Sequence, residues 1–209
     1  MIHFCHAEYH TCHAEHHTRH AELVSASLFL ISILLLFLSC KTTRTQKSDN
    51  LRPVYITNTK KINLLSPEYN EKTLDTLQLF NGTFGETSFS MLSLTQIDSS
   101  GINLSLLNDF GTDMGELFFD GKDVSFESAY LPTKLPGEYI VAEIQNAYYD
   151  EKVLKENYSR AALSFVSEAS GLRKIYDGKK LIEEIFISDE KVKIINYLRG
   201  YTLELVNAE

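Results

Sequence analysis

The sequence predicts an α+β fold in which a curved antiparallel sheet forms a half-open β-barrel and a central helix serves as its lid or plug. Runs of strand length with two-residue alternation occupy residues 87–127 and again 161–205. Between them a single stretch, 136–148, changes to helical periodicity. Asp-Gly pairs at 120–121 and 177–178 break the strands into hairpins, which favours a meander over strand-helix-strand crossovers.

The folded part is expected to begin near Pro53. Val54-Tyr55-Ile56 reads as extended, and Leu64-Leu65-Ser66-Pro67 as a break before a short helix around 68–76. Leu77 and Leu79 alternate with Gln78, after which Asn81-Gly82 reads as a turn. Residues 87–97 are rich in β-formers, but their alternation slips at Met91-Leu92, which suggests a bulge or a two-faced strand. Ile102, Leu104 and Leu106 alternate with Asn103 and Ser105. Residues 116–119 run into the Asp120-Gly121 turn, and Val124 and Phe126 then alternate with Ser125 and Glu127. Ile140, Val141, Ile144, Ala147 and Tyr148 recur at i, i+1, i+4, i+7 and i+8, one stripe of an amphipathic helix with Glu138, Gln145 and Asn146 on its outer face. Pro136 suits the start of that helix, where its missing N–H has no intrahelical partner. The charged residues Asp150, Glu151, Lys152 and Lys155 read as a loop. Strand patterns at 161–165, 172–176, 181–187, 192–197 and 201–205 complete the chain.

Ahead of the domain, residues 28–38 are apolar apart from Ser32. They are too short to cross a bilayer core, which needs about 20, but they fit a secretory h-region. Ser39 followed by Cys40 resembles a bacterial lipobox, in which the cysteine sulfur takes a diacylglyceryl group and cleavage falls just before it; Phe37 stands where leucine is usual. The expected organisation is a His-rich repeat over 1–27, the lipoprotein signal over 28–39, lipidated Cys40 with a polar tether over 40–52, and one domain over 53–209. Lys41 follows the cysteine where an aspartate would suggest inner-membrane retention, so the expected location is the outer membrane, lipid-anchored and facing the periplasm. The repeat begins its three units at Cys5-His6-Ala7-Glu8, Cys12-His13-Ala14-Glu15 and Arg19-His20-Ala21-Glu22. Such Cys and His side chains suit zinc or copper, but an exact repeat with no cap or alternation reads as translated repeat DNA ahead of the true start, or as an atypical n-region.

Cleavage before Cys40 would leave 209 − 39 = 170 residues, enough for one domain with a sizeable core. It removes Arg19 and three acids, so 20 basic and 28 acidic residues become 19 and 25, a net charge of −6 that disfavours nucleic acid as a partner. All seven histidines lie at or before His20, and Cys40 would be the one cysteine left. Imidazole catalysis and an internal disulfide are thereby excluded from the mature chain. No cofactor or metal is expected. A carboxylate site drawn from Asp109, Asp113, Glu116 and Asp120 is the enzymatic alternative, though Asp120 has a simpler task in its turn. Arg160 and Arg173 read as surface ion-pair partners or contacts for an anionic head group.

Behind the lipobox cysteine, Phe118-Phe119-Asp120-Gly121, then Tyr130-Leu131-Pro132, Leu135-Pro136 and Tyr139-Ile140 before the helix, and Gly200-Tyr201-Thr202-Leu203 in the closing strand resemble, in that order, the LolA/LolB-like lipoproteins. More narrowly, the chain is similar to a small lipoprotein family of unknown function whose genes accompany aryl polyene or flexirubin pigment and fatty-acid-type biosynthesis clusters. The similarity covers 74–206. It implies a half-open barrel with a helical lid over an apolar cavity, which in LolA and LolB takes the acyl chains of lipoproteins.

The expected function is therefore non-enzymatic: a membrane-anchored lipoprotein that binds or transfers an acyl or polyene-like ligand, or lipoprotein acyl chains. The residues expected to line its cavity are Phe89, Met91, Leu104, Leu106, Phe118, Val124, Phe126, Ile140, Ile144 and Phe165, which suit equally a filled core. Phe110, at a loop tip, is a candidate membrane contact, with a place tucked under the turn as the ordinary expectation. The expected partners are the membrane through the anchor, the hydrophobic ligand, and an envelope or biosynthetic protein. The alternative is an assembly lipoprotein whose packed barrel docks a protein partner.

Overall fold

The computed structural model describes residues 53–70, 73–128 and 136–208. All of these fall within the compact unit Lys47–Glu209; the other unit, Met1–Gln46, lies wholly outside the described residues, as do the lipobox, Cys40, the repeat and Tyr130-Leu131-Pro132.

A short hairpin, β1 (Val54–Tyr55) with β2 (Lys61–Ile62), is followed by one 3₁₀ turn, Pro67–Tyr69, in place of the longer helix expected there. Five strands come next: β3 (Leu74–Phe84), β4 (Thr87–Asp98), β5 (Gly101–Leu107), β6 (Asp113–Phe119) and β7 (Val124–Ser128). Helices α1 (Gly137–Tyr148) and α2 (Glu151–Arg160) separate them from β8 (Ser164–Ser167), β9 (Leu172–Asp177), β10 (Lys180–Ile187), β11 (Lys191–Asn196) and β12 (Tyr201–Asn207). The two meanders join where β12 pairs with β3, giving one ten-stranded sheet of order β7-β6-β5-β4-β3-β12-β11-β10-β9-β8, antiparallel throughout. The fold is α+β. The sheet is not closed, because β7 and β8 form its two edges and do not pair with each other.

The alternation at 77–79 is strand as expected, but β3 departs from the sequence reading in two respects. Gln78 is buried while Leu77 and Leu79 are 42% and 38% exposed, so the alternation runs with the opposite parity to the apolar pair. Asn81-Gly82 is not a turn; both residues continue the ladder opposite Ser90 and Phe89, and the reversal comes at Gly85, whose positive φ supplies it. Gly82 instead makes room for an aromatic ring, since a Cβ there would lie 2.2 Å from Phe89. In β4 the slip at Met91-Leu92 is two-facedness and not a bulge: the register with β3 is unbroken, Met91, Ser93, Thr95 and Ile97 are buried, and Leu92 and Leu94 point the other way.

The charged stretch after α1 is also a helix, not a loop. Asp150 caps α2 by accepting from Lys152 N (2.8 Å) and Val153 N (3.3 Å), Leu154 and Tyr158 are buried one turn apart, and Lys155 and Arg160 pair with Glu151 and Glu156 at i−4.

α1 has no solvent face. Gly137 sits on β7 so closely that a Cβ would lie 2.7 Å from Val124 Cγ1 and 2.8 Å from Phe126 Cβ. Gln145 and Asn146, expected outside, are buried: the segment running from β1 to the 3₁₀ turn covers Gln145, and Asn146 lies between Glu183 of β10 and Tyr158 of α2. Gln145 pairs with the Leu65 backbone as a strand would, accepting from its N–H (3.0 Å) and donating to its carbonyl (2.8 Å). The same segment is held by Asn157 Nδ2 donating to Asn63 O (2.9 Å), and by Lys60, which reaches Asp177 at 2.6 Å.

Candidate functional site

Beneath α1 lies an apolar cavity of about 280 Å³. One wall is the helix, whose Tyr139, Ile140, Glu143, Ile144, Ala147 and Tyr148 recur at helical spacing and so line it over roughly 13 Å of rise. The facing wall is the middle of the sheet: Phe80 and Phe84 of β3, Phe89, Ser93 and Thr95 of β4, Leu104 and Leu106 of β5, Ile194 of β11, and Tyr201, Leu203 and Leu205 of β12. The space lies over Ser93 and Thr95, whose short side chains stand beside Leu106 and Leu104 of β5. Phe84, 41% exposed, and the exposed Arg199 mark the open end; Phe84 stacks with Phe89 (6.1 Å) and lies tilted against Tyr201 (5.3 Å), which makes that end aromatic. Tyr148 forms part of the lining nearer the other end of the helix, with its hydroxyl 3.5 Å from Gln78, which donates in turn to Asn207 Oδ1 (3.0 Å).

Of the ten residues read as lining, Phe89, Leu104, Leu106, Ile140 and Ile144 are in these walls. Met91 shares their face but is packed into the core, 3% exposed. Val124 and Phe126 are spent supporting Gly137, and Phe165 packs on Tyr158 (5.4 Å) with the Arg173 guanidinium above it. Phe118 is a correction: Gly115, Leu117 and Phe119 are the buried residues of β6, leaving Phe118 41% exposed on the opposite face. Its shared parity with Glu116 was the available signal. Phe110 is 93% exposed, so the ordinary expectation that it tucks under the turn fails. Asn108 Oδ1 accepts from Phe110 N and Thr112 N, both at 2.9 Å, and so fixes the turn from which the ring projects.

Of the acids of the enzymatic alternative, Asp113 and Glu116 border one hollow along β6, and no group of three or more acids suited to a metal ion occurs among the described residues. Asp120 caps its own turn through Lys122 N and Asp123 N, Asp113 accepts from Gly115 N, and Glu116 lies on the outer parity of β6. Arg160 is a surface ion-pair partner, but Arg173 points inward, donating to Asn146 O (2.8 Å) and Tyr149 O (3.0 Å) at the C-terminal end of α1, where a cation is favoured.

The polar centre of the site was missed by sequence reasoning. Glu143, on the cavity stripe of α1, accepts a hydrogen bond from Tyr201 Oη and makes a carboxyl-carboxyl contact with Glu183 of β10. Glu183 faces inward because the β9–β10 register shifts between Leu181 and Glu183, so that Ile182 and Glu183 are both buried. Asn146 Nδ2 (3.2 Å) and Asn196 Nδ2 (2.8 Å) donate to its two oxygens, and Asn146 and Asn196 are oriented in turn by Tyr158 Oη (2.9 Å) and Arg199 N (2.9 Å). Burial raises both carboxyls, Glu143 to about 7 despite its tyrosine, and Glu183 well above the usual range, where the neighbouring Glu143 charge adds to desolvation. Burial and the same two acids raise Tyr201 as well. An acid at position 143 within an apolar stripe at 140, 144 and 147 was the sequence signal.

Residues 75–209 match a family described as a protein of unknown function, DUF3261. The chain belongs to the DUF3261 family. The matched region takes in β3 from Asp75, both helices and every later strand, and hence all of the cavity lining. No curated protein matches this DUF3261 chain.

The two raised carboxyls make stability pH-dependent. Their folded values lie above the ordinary carboxylate value of about 4.5, so the stability they contribute is complete below pH 4.5; Glu143's share is lost as pH rises through about 7, and Glu183's as pH rises towards its own raised value. Thermal unfolding of this DUF3261 domain is expected to show a falling Tm from pH 5 to pH 8. Glu143→Gln supplies a permanent amide donor to Glu183 and keeps an acceptor for Tyr201, so it should flatten that fall and raise the Tm at pH 8. An unchanged pH profile in this variant would contradict the assignment.

Proposed function

We propose that this DUF3261 protein is a non-enzymatic lipoprotein, anchored through Cys40 at the outer membrane and facing the periplasm, that holds an acyl or polyene-like chain beneath α1 and helps to place it in the membrane. The observation that carries this reading is the unfilled apolar space under the helix, about 280 Å³, near the lower end of the roughly 300–1,000 Å³ typical of ligand sites. Its elongated apolar wall suits one chain, and each methylene moved there from water contributes about 0.8 kcal/mol, so no polar contact is required for binding. In this reading the open sheet with α1 over it is the half-open barrel and lid of the LolA/LolB-like lipoproteins. Phe110, held out on a fixed turn, is a membrane contact in the same reading. The alternative, a packed barrel that acts only as a docking scaffold, would need side chains where that space lies.

Cys40→Ala expressed in the native host tests both halves. The variant is expected to incorporate no labelled palmitate and to leave the membrane fraction, and native mass spectrometry of the released protein should find a co-purifying hydrophobic molecule. Continued labelling would overturn the anchor; repeated recovery of the bare polypeptide would overturn the carrier.

A further inference from the structure

Thr95 lines the cavity and is 1% exposed, and its Oγ1 has no hydrogen-bond partner among the described residues. Ser93, two residues earlier on the same face of β4, is satisfied, donating to Gln78 O at 3.3 Å. An enclosed hydroxyl without a partner is unfavourable relative to the same group in water, and a plain hydrocarbon chain laid over it would leave it so.

The charged groups of the cavity act mainly on one another, although Glu143 Oε2 is, like Thr95 Oγ1, enclosed without a hydrogen-bond partner among the described residues. Arg199 donates to Tyr55 O, lies 4.8 Å from the centre of the Tyr139 ring, and acts electrostatically on Glu143. Glu143 and Glu183, two carboxyls in contact inside the protein, retain a proton between them because like charges at such a distance do not both ionise. One guanidinium therefore stands against one net carboxylate charge. An ionised head group entering this space would disturb that balance and lose its own hydration, whereas a neutral polar group disturbs neither.

We infer, building on the chain-binding reading above, that the ligand is an uncharged single chain bearing a hydrogen-bonding group, ester, amide or hydroxyl, that pairs with Thr95 Oγ1. A threonine hydroxyl donates to an ester or amide carbonyl and accepts from an alcohol, so the three share one recognition chemistry.

The test is competitive displacement of a fluorescent alkyl probe from the full chain at pH 8 by dodecane, methyl dodecanoate, 1-dodecanol, dodecanoate and dodecylammonium. The ester and the alcohol are expected to bind about tenfold or more tighter than dodecane, dodecanoate and dodecylammonium, a discrimination typical of a buried hydrogen bond. Thr95→Val should reduce the ester and alcohol to the level of dodecane without weakening dodecane itself, and Thr95→Ser should keep the preference. Dodecanoate or dodecylammonium binding as tightly as the ester, or a preference that survives in Thr95→Val, would overturn the inference. Dodecane binding as tightly as the ester would overturn the ligand class alone, whereas displacement by none of the five would overturn the chain-binding reading with it.

Discussion

α1 buries polar side chains on every side, and what lies beneath it depends on how those side chains are paired. On one side Gln145 bonds both backbone groups of Leu65. On another, Glu143 and Asn146 meet Glu183 of the sheet. Near its C-terminal end, Arg173 collects the Asn146 and Tyr149 carbonyls. Each of these contacts has a directional optimum, unlike apolar packing, so the helix is located above the sheet instead of sliding on it. A half-satisfied network would cost more than an apolar one, which explains why Asn146 and Asn196 are themselves oriented by further partners.

A helix held by its polar contacts need not be packed tightly along its remaining stripe, and this is where the space appears. Ile140, Ile144 and Ala147 look onto Ser93 and Thr95, and two apolar clusters, one around Leu104, Leu106 and Val141 and the other around Ala147, Ile185 and Ile194, supply walls from either side. Protein interiors are ordinarily close-packed, and an apolar void of this size forfeits dispersion contacts along its whole lining. The outer face of the same strands shows the exchange: Leu77 opposite Leu94 and Leu79 opposite Leu92 place leucines outside, while hydroxyls lie inside.

Much of the architecture was legible in the chain. Alternation in β5, the Asp-Gly turns at 120–121 and 177–178, and the change of period at Ile140 mark strands and helix by local rules that tertiary contacts did not override. Where reading failed, the deciding fact lay elsewhere in the molecule. Leu77 and Leu79 outvoted Gln78 locally, although Gln78 has its partners in Tyr148 and Asn207. Asn81-Gly82 has turn composition, but the glycine answers to Phe89 across the ladder. Gln145 looked solvent-facing because its partner, Leu65, is eighty residues away. Half of the expected lining was right in residue type and parity. The polar centre showed in the sequence only as Glu143 within its apolar stripe, because Glu183 turns inward through a register shift that β-periodicity does not announce.

Whether a chain occupies the space beneath α1 is tested most directly by isotope-filtered NMR on the protein loaded with methyl dodecanoate. Contacts from the chain methylenes to the methyl groups of Leu104, Leu106, Ile144 and Leu203, with none to Leu77 or Leu79 on the opposite face, are the expected result. Contacts confined to Leu77, Leu79 or the Phe110 ring, with the lining methyls unperturbed, would contradict it.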